Sequence, residues 1–209
     1  MNTEQGYLLV VEDIPDILRL LDATLKFKGY RVVTARNGQE ALEAIQRERP
    51  ALIITDILMP KMDGFSLVHR LRINPETRDI PVVFLTATYV APEDKAFAMT
   101  IGVNRFIEKP VDFQQFLPAI EEILTKGAAA PAKLIDETEF YEGYRRRLET
   151  KLKQKMTQIA RSEHLLQTVA EEERATMKAS LQQATIERQE IQHLLDEIHA
   201  HLDKIAKRD

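Results

Sequence analysis

Ala51-Leu-Ile-Ile-Thr-Asp-Ile-Leu-Met-Pro-Lys-Met-Asp-Gly64 is the stretch that decides the fold. Leu52 to Thr55 are apolar or β-branched, which suits a short strand buried on both faces of a parallel sheet. The strand runs straight into a carboxylate, Asp56. An acid at the end of a buried strand lies at the sheet's carboxyl edge, where open α/β sheets bind their ligands. Pro60 and the Asp63-Gly64 pair then turn the chain ahead of the next helix. Alone, Asp56 reads equally well as the cap of a strand or turn. Three further stretches bring chemistry to the same edge.

Upstream, Tyr7 to Val11 is a buried strand followed by Glu12 and Asp13, and Ile17, Leu20, Leu21 and Leu25 recur at helical spacing until Gly29 stops them. Arg31 to Ala35 is a second strand, and Gln39 to Arg49 a helix with Ala41, Leu42 and Ile45 inward. Downstream of Asp56 come a helix from Phe65 to Leu71, a strand from Pro81 to Leu85 ending at Thr86, and a helix from Glu93 to Ile101. Val103 to Glu108 and Asp112 to Thr125 complete the series as strand and helix. Five β-α units imply right-handed crossovers and an all-parallel sheet covered on both faces. The expected topology is flavodoxin-like, a doubly wound α/β fold with the second strand outermost and the first beside it.

Composition sets outer bounds. The 209 residues carry a net charge of -4 and no cysteine. Nothing in that total points to nucleic acid or a membrane, and thiol chemistry is excluded. The apolar run Tyr7 to Val11 is too short for a signal peptide or a membrane span, so a soluble cytoplasmic protein is expected.

Glu12 and Asp13 follow the first strand, Asp56 the third, Thr86 the fourth and Lys109 the fifth. Three carboxylates at one edge repel one another unless a cation joins them. Mg²⁺ suits such a set, because it takes oxygen ligands and keeps waters and phosphate oxygens in its shell. Lys109 offers a point charge for a phosphoryl oxygen and Thr86 a hydroxyl donor. The site suits a carboxylate nucleophile that accepts a phosphoryl group.

The motifs Val-Val-Glu-Asp-Ile-Pro-Asp, Thr-Asp-Ile-Leu-Met-Pro-Lys-Met-Asp-Gly, Phe-Leu-Thr-Ala and Phe-Ile-Glu-Lys-Pro resemble the receiver domain of two-component response regulators. The resemblance covers roughly residues 6 to 126. It implies that Asp56 is phosphorylated by a histidine kinase or a small phosphodonor. It also implies Mg²⁺ held by Glu12, Asp13, Asp56 and the backbone carbonyl of Leu58, with Thr86 and Phe106 as switch residues and a cis peptide at Lys109-Pro110. Glu12-Asp13 stands where Asp-Asp is commoner in the family, so ligand reach and metal affinity are expected to differ. Leu58 is apolar where relatives carry polar residues that position water, so any self-dephosphorylation is expected to be slow. Phe106 also reads as a packed edge-strand aromatic. Its polar neighbours Asn104 and Glu108 leave it partly exposed.

Residues 127–136 read as a linker, with Gly127 ending a helix and Pro131 blocking its continuation. From Asp136 onward only Gly143 interrupts a charged helical pattern. Met177, Leu181, Ala184, Arg188, Ile191, Leu195, Ile198, Leu202 and Ile205 form a heptad seam with one break, at Arg188. Tyr144, Leu148, Leu152, Met156 and Ile159 form a second stripe, mostly at steps of four. Thr168 with Glu171 is a capping-box signature. Helices over about 138–168 and 171–206, each roughly 50 Å long, are expected to fold as an antiparallel hairpin. One long helix in a parallel coiled coil is the alternative.

The domains are therefore 1–126, a linker 127–136, and a helical module 137–209 for output and oligomerisation. Arg145-Arg146-Arg147, Lys151, Lys153 and Lys155 interleave with Glu142 and Glu149, which reads as a solvated face rather than a nucleic-acid contact. No helix-turn-helix pattern follows the receiver, so a protein-interaction output and a homodimer through the tail are expected, not DNA binding. The protein is not expected to be an enzyme. The rival reading is a phosphorelay intermediate passing the group from Asp56 to a tail histidine, His164, His193, His199 or His201. Against it, His164 is followed by Leu165-Leu166 rather than an acid.

Overall fold

The computed structural model describes residues 6–86, 92–126, 136–167 and 171–207. The chain divides into two compact units, 1–134 and 135–209. In the first, strands β1 (Leu8–Val11), β2 (Val32–Ala35), β3 (Leu52–Asp56), β4 (Val82–Thr86) and β5 (Arg105–Glu108) alternate with helices α1 (Pro15–Phe27), α2 (Gly38–Arg47), α3 (Gly64–Ile73), α4 (Pro92–Thr100) and α5 (Phe113–Lys126). The sheet is parallel throughout, in the order β2-β1-β3-β4-β5. This is the expected flavodoxin-like topology. The chain leaves β1 in one direction for β2 and returns on the other side for β3, so the carboxyl ends of β1 and β3 flank the switch point.

Every residue of β1, β3 and β4 is buried, which is why these strands read as continuous apolar runs rather than alternating ones. One face of the sheet is covered by a core containing Leu8, Val10, Leu52, Ile54, Val83 and Leu85 packed with Leu18, Leu21 and Leu25 of α1 and Phe116 and Ile120 of α5. Burying each such side chain is worth about 1.5–3 kcal/mol. Leu20, expected inward, is 55% exposed, and Leu18 takes its place. Leu18, Leu21 and Leu25 sit at steps of three and four on one stripe. Leu20 lies two residues from the stripe's first member, about 200° around a helix of 3.6 residues per turn. β5 begins at Arg105 rather than Val103, because Asn104 bonds β4 through its main chain and side chain instead. Its N–H donates to the Val82 carbonyl and its Oδ1 accepts from the Val82 N–H, each at 2.8 Å.

In the second unit, helices α6 (Glu137–Leu166) and α7 (Glu171–Ile205) run antiparallel. Glu137 near one end meets His201 at 2.7 Å, and Lys155 meets Glu187 at 2.7 Å further along. The Asp136 carboxylate caps α6, accepting from the Glu139 N–H at 2.8 Å. The Gly127–Pro131 reading and the Thr168 capping box lie outside the described residues. The α7 seam is buried at Ala184, Ile191, Leu195 and Ile198. The α6 stripe does not stay together. Tyr144 and Leu148 are buried, Leu152 and Ile159 are half-buried, and Met156 is 53% exposed. Each step of four turns a straight helix 40° past the seam, so three such steps carry Met156 onto another face, whereas alternating fours and threes hold α7 in place.

Candidate functional site

The pairing register sets the site. Val11 lies opposite Thr55, so Glu12 and Asp56 emerge side by side. Asp56 lies opposite Leu85, and Thr86 opposite Glu108. The Lys109 N–H donates to the Thr86 carbonyl at 2.7 Å, extending the β4–β5 ladder by one residue and delivering Lys109 to the same edge. The Lys109–Pro110 peptide is cis.

The Lys109 ammonium lies 2.5 Å from Glu12 Oε2 and 3.1 Å from Asp56 Oδ2. All three groups are nearly out of solvent, the side chains being 8%, 0% and 11% exposed respectively. Asp56 Oδ1 accepts from the Ile57 N–H at 2.8 Å, and Glu12 Oε1 accepts from the Ile14 N–H at 3.3 Å. Burial, more than any neighbour, pushes both carboxyls above their ordinary range. Lys109 pulls each back down. The mutual repulsion read from the sequence is the smaller effect: Asp56 raises Glu12, and Asp13 contributes last to the shift of Asp56.

One oxygen from each of Glu12, Asp13 and Asp56 can be chosen so that all lie within 4.8 Å of one another. Asp13 is half-buried. An all-oxygen donor set at the sheet's carboxyl edge, with one member half-exposed, fits a hard divalent ion such as Mg²⁺. Leu58 is half-buried in the loop after β3, next to these groups in sequence. Thr86 is buried at the end of β4. Phe106 is half-buried and meets Phe84 edge-on, with ring centres 5.5 Å apart and planes at 86°. Phe84 in turn meets Phe65 of α3 at 5.1 Å, and Phe65 meets Phe97 of α4 at 5.5 Å. Phe106 is thus the outer member of an aromatic row crossing from β5 to α3, an arrangement the sequence did not reveal.

Two glycines that position the acceptor loop were also missed as site residues. Asp63 is the N-cap of α3, its carboxylate accepting from the Ser66 N–H at 3.0 Å and the Ser66 hydroxyl at 2.6 Å. Gly64 follows it, and a Cβ there would lie 2.4 Å from the Asp56 carbonyl oxygen. The helix can start this close to the acceptor strand only with glycine. Gly38, at the start of α2, meets the same loop through Met62. Asp63-Gly64 was visible as a turn, but nothing local in the sequence links Gly38 to Met62.

The tail histidines lie apart from this constellation in sequence and in fold unit. His201 pairs with Glu137, and its ring meets Tyr141 at a tilt of 42° with centres 4.1 Å apart. No helix among the described residues is long and apolar enough to cross a membrane.

Residues 8–121 match the response regulator receiver domain model. The uncharacterized 14.6 kDa protein in the sodA1 3' region of Leptolyngbya boryana is 39% identical over 115 residues, covering 55% of this chain and 87% of that protein. The transcriptional regulatory protein GlrR of Escherichia coli is 38% identical over 131 residues, covering 62% of this chain and 29% of GlrR. The chain therefore spans less than a third of that regulator's length. Among solved structures, the signal receiver domain of a signal transduction histidine kinase from Syntrophus aciditrophicus is 34% identical with a TM-score of 0.54, covering 63% of this chain and 96% of that one. With its parallel five-stranded sheet and acidic switch-point edge, the chain belongs to the response regulator receiver domain family.

Proposed function

We propose that Asp56 accepts a phosphoryl group from a histidine kinase or a small acyl phosphate, and that the helical unit turns this into a change in protein association. The observation that carries the reading is the placement of Lys109 between Glu12 and Asp56, at 2.5 and 3.1 Å. A carboxylate oxygen of Asp56 attacks phosphorus. The bond to the donor's imidazole nitrogen or acyl oxygen breaks, and the donor leaves with that electron pair. Lys109 stands where its charge can pass from the carboxylates to an oxygen of the incoming group, and Thr86 supplies a hydroxyl to another. Glu12, Asp13, Asp56 and the Leu58 carbonyl would hold Mg²⁺, which when bound offsets the charge of phosphoryl and carboxylate oxygens.

Thr86 and Phe106 serve as the switch. The edge-on contact of Phe106 with Phe84 gives the ring a packed inward position to leave or keep. The chain is an acceptor rather than a turnover enzyme, with slow hydrolysis because Leu58 places no polar group beside the acyl phosphate. Output runs through protein contacts and a homodimer formed by the tail. In support, Arg145 and Arg146 pair with Glu149 and Glu142 within α6 at 3.7 and 3.9 Å, while Lys155 of the same basic run turns to Glu187 across the hairpin.

The test is intact mass after incubation with a small acyl phosphate and Mg²⁺. One added phosphoryl group is expected on the wild type and none on Asp56→Asn, whose circular dichroism should be unchanged. Equal labelling of the Asn variant would falsify the assignment.

A further inference from the structure

The half of the hairpin nearer its turn is packed differently from the half nearer residue 137. In the first half of α6, Phe140, Tyr141, Tyr144 and Leu148 are buried. Beyond Leu148 the positions that continue the seam, at steps of three and four, are Lys151 and Lys155, with Lys155 held by Glu187 across the hairpin. The apolar residues of this half have rotated off the seam by the 40° drift of their four-residue steps. They emerge as Leu152, Met156 and Ala160, which with Glu149, Lys153 and Thr157 line a shallow groove of about 500 Å³. So the hairpin uses polar side chains between its own helices here and leaves an apolar stripe facing outward.

We infer that this α6 stripe is covered by α7 of a second copy of the chain. The inference rests on the proposed homodimer and goes further by naming the face. Charge selects the occupant. Helix α6 carries seven Lys and Arg against five Asp and Glu, while α7 carries eight Asp and Glu against four Lys and Arg. The Lys155–Glu187 pair shows this complementarity operating inside one chain. A second hairpin related by a two-fold axis sets a basic α6 against an acidic α7 twice, so that the four helices alternate in charge around the bundle. The α7 seam is spent within the chain, with Ile191, Leu195 and Ile198 all buried. The contact between copies therefore falls on the stripe that drifted away from it.

Light scattering on the full chain at tens of micromolar tests this. The wild type should have twice the chain mass. Leu152→Glu and Met156→Glu should each weaken association by about tenfold or more, at unchanged helix content by circular dichroism. Met156→Leu should keep the dimer, and Lys153→Glu should weaken it at low salt more than at high salt. A dimer of undiminished affinity in both Glu variants would overturn this face while leaving the dimer itself standing. A monomeric wild type would overturn both, whatever other protein later proves to bind the stripe. Labelling of Asp56 reports on the receiver separately and should be the same in every variant.

Discussion

The Gly38 N–H donates to the Met62 carbonyl at 2.9 Å, and a Cβ on Gly38 would lie 2.7 Å from Met62 Cγ and 2.9 Å from that same carbonyl oxygen. Met62 belongs to the loop that follows Asp56, so the start of α2 sets how deeply that loop sits. Gly38→Ala should push the loop outward by a few tenths of an ångström, moving the Leu58 carbonyl relative to the three carboxylates. Phosphorylation by an acyl phosphate should slow by roughly tenfold to a hundredfold, as small misplacements do in ordered sites. The Mg²⁺ concentration for half-maximal labelling should rise with it. The double variant Gly38→Ala/Met62→Ala should not recover, since the backbone oxygen remains in the way. An unchanged rate and Mg²⁺ titration in Gly38→Ala would remove Gly38 from the site.

Lys109→Met addresses the ion pairs. It leaves Glu12 and Asp56 buried beside each other without their cation, and removing one partner of a buried pair typically costs about 3–5 kcal/mol. The apoprotein should melt lower than wild type. Millimolar Mg²⁺ should restore more stability to the variant than to the wild type, because the metal replaces a missing charge rather than adding to one already present. Equal stabilisation of both proteins by Mg²⁺ would show that Lys109 and the metal do not share the same carboxylates.

Asp13→Asn separates metal binding from apoprotein stability. Asp13 is half-buried and raises the pKa of Asp56, last among the causes of that shift. Neutralising it should raise the Mg²⁺ requirement for phosphorylation while the melting temperature without metal holds or rises slightly. A Mg²⁺ titration identical to that of wild type would exclude Asp13 as a ligand.

The receiver was readable from its strands because burial on both faces writes β1, β3 and β4 as apolar runs, and a polar residue then marks where each run ends. Val11 to Glu12, Thr55 to Asp56 and Leu85 to Thr86 are such transitions, and they gave the elements and the carboxyl edge together. The contacts made across the sheet were not readable. Phe106 on Phe84, Gly38 under Met62 and Lys109 on Glu12 join residues 22 to 97 positions apart. Residue types there are compatible with many neighbours until the register is known. In the tail, spacing gave two helices, but steps of four were read as one stripe when the geometry of a straight helix divides them between two faces.

Lys151 gives a prediction with a pH sign. Burial first, and then the like charges of Arg147 and Lys155, lower its ammonium to about 8. Below that pH both the folded and the unfolded chain hold the proton, and the folded chain carries the whole penalty. Between about 8 and the ordinary lysine value near 10.4, the folded chain has released a proton that the unfolded chain still binds, so stability rises with pH across this window. The gain is on the order of 3 kcal/mol if this residue acts alone. Lys151→Met keeps the aliphatic stem and removes the charge. It should melt higher than wild type at pH 7, and the difference between the two should shrink as the pH is raised toward 10. Thermal melts of the full chain followed at the helical unit's signal would decide it. If Lys151→Met melts lower at pH 7, the ammonium makes a net favourable contact in the hairpin, and the penalty assigned to its burial is wrong.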